Sequence, residues 1–242
     1  MSRLKWDEDT KRYYETGVDR VVLYVSNSAE AWSGITAINE SPSGAEPSKI
    51  YADNIIYGAV MSPEEDALTI EAFTYPEAFN KCMGYEEIGR GAYLGQQSHV
   101  PFGICWRSKV GNDKDSDYGY KLHMAPILYA SPSEDSNSTI NDSPEQKTFS
   151  WSATAIPVKV DEELSTSMIV LDSRCFKKSG LMNALKSIED ILYGTEKTRP
   201  RMVQPSEILS ISTRSRMLLD SKGKSILDST GELITTAVYK TA

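Results

Sequence analysis

At 242 residues, 40% apolar and 25% charged, the chain can bury a real core, and its makeup excludes a wholly disordered or membrane-embedded protein. A formal net charge of -8 argues against a protein that grips phosphates, because nucleic-acid affinity comes mainly from Lys and Arg neutralising the backbone. The same acidity suits a wall along which DNA moves without sticking, or simply a well-solvated surface.

No apolar run approaches membrane-spanning length, and residues Met1 to Asp7 open no secretory segment, so no membrane anchor and no export are expected. Cys82, Cys105 and Cys175 are an odd count without paired spacing, which predicts reduced, packed thiols and neither a disulfide framework nor a zinc site.

In chain order, Met1 to Gly17 is charged and aperiodic and reads as an N-terminal arm. Asp19 to Val25 reads as a strand, and Trp32 to Glu40 is weakly strand-like. Ser41, Pro42, Ser43, Gly44, Ala45, Glu46, Pro47 and Ser48 follow, and two prolines with a glycine predict a long irregular loop over 39–50, a candidate contact surface. β-forming residues return from Ile50 to Met61, and Leu68 to Tyr75 alternates Leu68, Ile70 and Ala72 with Thr69, Glu71 and Phe73. Pro76 to Gly84 has the polarity of a short helix.

The organising stretch is Gly95 to Pro132. Val100, Phe102, Ile104 and Trp106 alternate with His99, Gly103, Cys105 and Arg107, and after a polar tip at Gly111 to Asp117 the period returns in Tyr118, Tyr120, Leu122, Met124 and Leu128. This predicts a long hairpin with one apolar face, which needs a second layer to cover it. Beyond a polar segment, Phe149, Trp151 and Ala153 predict another strand, and Met168 to Leu171 one more. Leu181, Ala184, Leu185, Ile188, Ile191 and Leu192, stopped by Gly194, predict an amphipathic helix over 180–193 that docks on the sheet; a dimerising helix is the alternative. Pro200 and Pro205 mark a linker, and the echo of Leu219 to Lys224 in Leu227 to Glu232 predicts a small β-meander in the tail. The division expected is arm 1–17, β domain 18–199, and linker with β-rich extension 200–242.

Catalytic chemistry is sparse. The two histidines, His99 and His123, sit between the apolar positions of the hairpin, and a pair with Cys105 is conceivable, but no nucleophile elbow, metal-ligand spacing or phosphate loop accompanies them. No enzyme, catalytic residue, cofactor or metal is expected.

Several stretches together resemble the major tail (tail tube) proteins of long-tailed bacteriophages of Gram-positive hosts. They are Tyr51 to Asn54, Ile70 to Pro76, Gly95 to Gln97, Phe102 to Trp106, Gly111 to Asp113, Tyr118 to His123, Ser131 to Ser133, Thr139 to Pro144 and Phe149 to Trp151. The resemblance spans about Tyr14 to Pro157, weakens through the helix, and leaves the tail unmatched.

It implies a mainly β subunit, an antiparallel sandwich or barrel-like fold with a short flanking helix and a C-terminal amphipathic helix. It further implies hexameric rings stacked into a tube that conducts genomic DNA, in a virion tail assembled in the host bacterial cytoplasm. Partners would be other copies, a tape measure protein, a tail terminator and distal tail proteins. Residues 1–17 and 39–50 fit the family's inter-ring segments. A DNA-conducting lumen should repel phosphate, and strand alternation offers Glu40, Asp53 and Glu71 as lumen-facing acids. Alternatives are a tube protein of a contractile injection device or tailocin, and a hydrolase using Cys105 and a histidine.

Overall fold

The computed structural model describes residues 6, 8–137, 139, 146–161 and 164–214, with the backbone alone for 212–214. The expected meander of the tail lies outside the described residues. Within them the protein is mainly β and antiparallel. The first half contains β1 (Tyr13–Val25), β2 (Ser28–Ala31), β3 (Ile35–Glu40), β4 (Ser43–Gly44), β5 (Pro47–Ala52), β6 (Ile55–Met61), β7 (Glu64–Glu65) and β8 (Ala67–Ala72). Helix α1 (Phe79–Cys82), β9 (Glu86–Gly89), β10 (Ala92–Leu94), β11 (Phe102–Asn112), β12 (Gly119–Ala130) and β13 (Phe149–Ala155) follow. The rest is β14 (Val158–Lys159), β15 (Ser165–Thr166), β16 (Ile169–Asp172), α2 (Ser173–Lys178), α3 (Met182–Tyr193) and α4 (Pro205–Arg214).

The main sheet runs β2-β1-β11-β12-β13-β8-β3, with β16 added on the first half of β12. It curls until β1 comes close to β3 without pairing with it. The concave face holds Leu23, Ile104, Trp106, Leu128, Trp151, Ile70 and Leu68, with Trp32 and the α1 residues Phe79 and Cys82 packed among them. Aromatic rings dominate this core: Phe79 stands 4.7 Å from Trp32, 5.2 Å from Trp151 and 5.3 Å from Phe102 between ring centroids.

The other face is also buried over half its width. Val22, Tyr24, Cys105, Leu122, Met124 and Leu171 lie beneath Leu185, Ile188 and Leu192 of α3 and Val203 and Ile208. The helix stripe read from the sequence therefore does dock on the sheet, and Gly194, at φ +77°, ends it where a Cβ would meet Pro200 at 2.9 Å. Tyr24 adds a polar tie, its hydroxyl donating to the Leu192 carbonyl at 2.8 Å.

Four sequence expectations change. The hairpin was expected to have one apolar face and has two, because β12 carries one extra residue: Phe102 pairs with Leu128 but Ile104 with Ala125. That bulge at Pro126 and Ile127 reverses the alternation, so Leu122 and Met124 face the helices while Leu128 faces the concave core. The arm expected over 1–17 is shorter, because Tyr13 to Thr16 already pair with Lys109 to Asn112. The stretch read as a linker contains α4, with Pro205 at its first position, where a missing N–H costs nothing. Finally, Cys82 and Cys105 are buried thiols as expected, but Cys175 on α2 is exposed.

Candidate interaction surface: a projecting hairpin arm

The stretch expected to be a loop is the stem of a β-ribbon. β3 pairs with β8, β4 with β7, and β5 with β6, so the chain from Ile35 to Ala72 forms one long interrupted hairpin. The prolines did not prevent this. Pro42 falls between β3 and β4, and Pro47 is the first residue of β5, a position where proline is tolerated. Gly44, at φ +85°, is required at the crossing, since a Cβ there would lie 2.3 Å from the Pro63 carbonyl oxygen. Asp53 and Asn54 close the tip with φ of 51° and 63°, the left-handed pair of a tight two-residue hairpin turn. From Ser41 to Asp53 the chain spans at most roughly 40 Å at ~3.3 Å per residue, less what the bend at Gly44 and Ala45 takes up.

Beyond the stem the ribbon is apolar on both sides and uncovered. Tyr51 is 66% exposed, Ile55 63%, Ile56 54%, Tyr57 75% and Met61 65%, with Ile50 and Val60 also exposed. A two-stranded ribbon is marginal alone, and a contiguous apolar patch of this kind marks an interaction surface. Burying about half of these side chains would contribute on the order of 5–10 kcal/mol before the costs of association.

The three acids proposed for a common wall do not share one. Asp53 is at the ribbon tip. Glu40 pairs with Leu68 on the concave side of β3, whereas Glu71 lies on the opposite face, across from Ala37 and Ser150. Glu71 belongs to a polar, helix-free area with Thr69, Ser150, Ser152 and Thr154.

Glu40 instead faces His123. Nδ1 of His123 stands 3.1 Å from Glu40 Oε1, off the hydrogen-bond line, and Nε2 lies 3.0 Å from Ser108 Oγ. The imidazole stacks on Trp106, at 5.1 Å and 8°. Ser108, His123 and Glu40 thus follow the order of nucleophile, base and acid, but Ser108 lies within the ladder, paired with Val18 of β1 and Lys121 of β12, and Glu40 makes no hydrogen bond that would orient the imidazole. The Cys105–histidine pairing fails on geometry. Cys105 faces the helices while His123 shares the concave face with Trp106, and His99 precedes β11, with Nδ1 3.0 Å from the Cys82 carbonyl. Burial also pushes the Cys105 thiol up to about 12, so it is not a ready nucleophile.

Burial lowers the His123 pKa from 6.5, and Glu40 offsets this only in part. The unfolded chain therefore binds the proton first, so stability is full above about pH 6.5 and falls as pH drops through the window below it. Urea midpoints should decline from pH 7 to pH 5 in the parent and stay flatter in His123→Gln; equal slopes would show that His123 is not the group responsible. Asp19 and Asp172, held low by Arg107 and Arg174, contribute only at more acidic pH.

No protein-family model matches the chain, and no curated protein aligns with it significantly. Among the described residues no helix is long and apolar enough to cross a membrane, and no group of His, Cys, Asp or Glu stands together as metal ligands. Sequence reading found β-forming residues at Ile50 to Met61 but not their exposure. The available signal was an apolar run on both sides of Asp53-Asn54, too apolar for a strand with one wet face.

Proposed function

We propose that this chain is a structural subunit that assembles with copies of itself into rings stacked as a tube, in the manner of the tail tube proteins of long-tailed bacteriophages. The observation that carries the reading is the ribbon arm: a domain with two covered cores leaves a contiguous set of large apolar side chains in water on a projection suited to reach a neighbour. Sheet edges support it, because β2 and β3 end the main sheet and each offers unpaired backbone groups to another strand. In such a tube six copies would form a ring, the arm would bridge successive rings, and genomic DNA would pass through the lumen of a virion tail built in the host cytoplasm. A tape measure protein, tail terminator and distal tail proteins would be its neighbours.

Electron microscopy and sedimentation of the purified protein test this directly. Rings or tubes are expected; a monomer across protein concentration, salt and added tail-initiation proteins would overturn the reading. The area around Glu71, with Ser150, Ser152 and Thr69 and no Lys or Arg opposite them in the ladder, suits a wall that does not hold phosphate. Glu71→Lys/Ser150→Lys/Ser152→Lys should therefore assemble yet slow genome release, with the defect easing as salt rises. Normal release at low salt would remove this face from the lumen.

A further inference from the structure

Among its described residues the acidic protein carries a concentrated basic cleft. It has a volume of about 630 Å³, lies toward the tip of the β11–β12 hairpin, and is lined by Arg20, Lys109, Arg107, Arg174, Lys177 and Lys178. Two of these cations are already held: Arg107 grips Asp19 at 2.8 and 2.9 Å, and Arg174 grips Asp172. Arg20, Lys109, Lys177 and Lys178 are exposed and form no ion pair among the described residues, though Arg20 lies 6.0 Å over the Tyr193 ring and Asp19 attracts both Arg20 and Lys109; Asp117 is the carboxylate that lines the cleft itself.

A smaller cleft of about 240 Å³ has the opposite character. Glu30 of β2, Glu77 before α1 and Glu87 of β9 line it, with Lys81 as its cation. Glu77 accepts a hydrogen bond from Tyr93 and Glu87 one from the Gly91 N–H, but among the described residues none of the three is ion-paired. This cleft belongs to the other end of the same hairpin, since Val100, just before β11, donates to the Lys81 carbonyl and Phe79 packs on Phe102.

From Phe102 to Lys109 the strand covers roughly 23 Å at ~3.3 Å per residue. That exceeds a Debye length of about 8 Å at physiological salt, so the two clefts do not neutralise each other within one molecule. The unpaired excess is positive at one end and negative at the other.

We propose that the basic cleft of one copy receives the acidic cleft of the next, a head-to-tail contact between different surfaces of the same chain. The inference rests on the assembly reading and gives it a direction. A contact between unlike surfaces passes from copy to copy, around a ring where the rotation between copies closes and along a stack where it does not, and it fixes polarity because like ends repel. A polyanion is a poorer occupant, because the chain's net charge of -8 repels it at long range, whereas a second copy presents its carboxylates already placed.

The test uses full-length chains with exposed charges reversed: Lys109→Glu/Lys178→Glu in one, Glu30→Lys/Glu87→Lys in the other. Circular dichroism and denaturation should match the parent. Each variant alone should need about tenfold or more protein to assemble at low salt, and mixing the two in equal amounts should restore assembly to the parental concentration. Variants that each assemble like the parent, or a mixture no better than its components, would overturn the contact while leaving self-assembly in place. Retention of a single-stranded oligonucleotide that is lost in the lysine variant while assembly is unchanged would assign the cleft to nucleic acid and also overturn it. If the parent itself never assembles, the assembly reading falls first and this contact with it.

Discussion

Tyr51→Ser/Ile56→Ser/Tyr57→Ser is expected to fold as the parent does and to lose assembly. All three side chains are more than half exposed, and Tyr51 and Ile56 face each other across the β5–β6 ladder. Removing them takes almost nothing from either core, so the urea midpoint should move by no more than about 0.5 kcal/mol equivalent. In an assembled particle the same side chains would be covered, and losing about 1–2 kcal/mol at each raises the concentration needed for assembly by on the order of a hundredfold or more. Sedimentation of both proteins over a concentration series decides it. Tubes from the variant at the parental concentration would show that the arm is not the adhesive surface.

Phe79→Ala should cause the largest loss of stability. Phe79 is fully buried, sits on a helix of a single turn, and touches Trp32, Trp151, Phe102 and Tyr75, so few of its neighbours can close the space it leaves. A large-to-small change at such a site costs about 3–5 kcal/mol, equivalent to a fall of roughly 10 °C in Tm for a domain of this size. Phe73→Ala is the control: that ring is 47% exposed and its removal should cost far less. Similar losses for the two would mean that the concave core collapses around the missing ring.

Strands with one covered face and the long helix were legible in the sequence because their periods are unbroken. Trp151, Ala153 and Ala155 alternate with Ser150, Ser152 and Thr154, and Leu185, Ile188 and Leu192 keep helical spacing. β12 was not fully legible, since a bulge changes which face a residue takes without changing composition. Pro42, Pro47 and Pro205 misled for a different reason. Each was read as a breaker, whereas two stand at positions where an element begins and one falls between two short strands. Exposure of the arm was hidden because an apolar alternation looks the same whether its cover is the protein's own core or another molecule. The basic cleft was hidden because its cations come from β1, β11 and α2 and meet only in the folded chain.

The arm is also the continuation of β3 and β8, and β8 is hydrogen-bonded to β13 from Ala67 to Ala72. The ribbon bends at Gly44 and Ala45, both at positive φ, yet a pull on the tip reaches the domain through the ends of β3 and β8, and its component along them loads the sheet parallel to its strands. Bonds between β8 and β13 are then strained together, as a lap joint is, and do not open one after another as in peeling. If neighbouring subunits hold one another by their arms, a tube bent or stretched in use would carry its tension through the stiffest direction of each sheet, and the joint would slip at the apolar contact before the subunit unravelled.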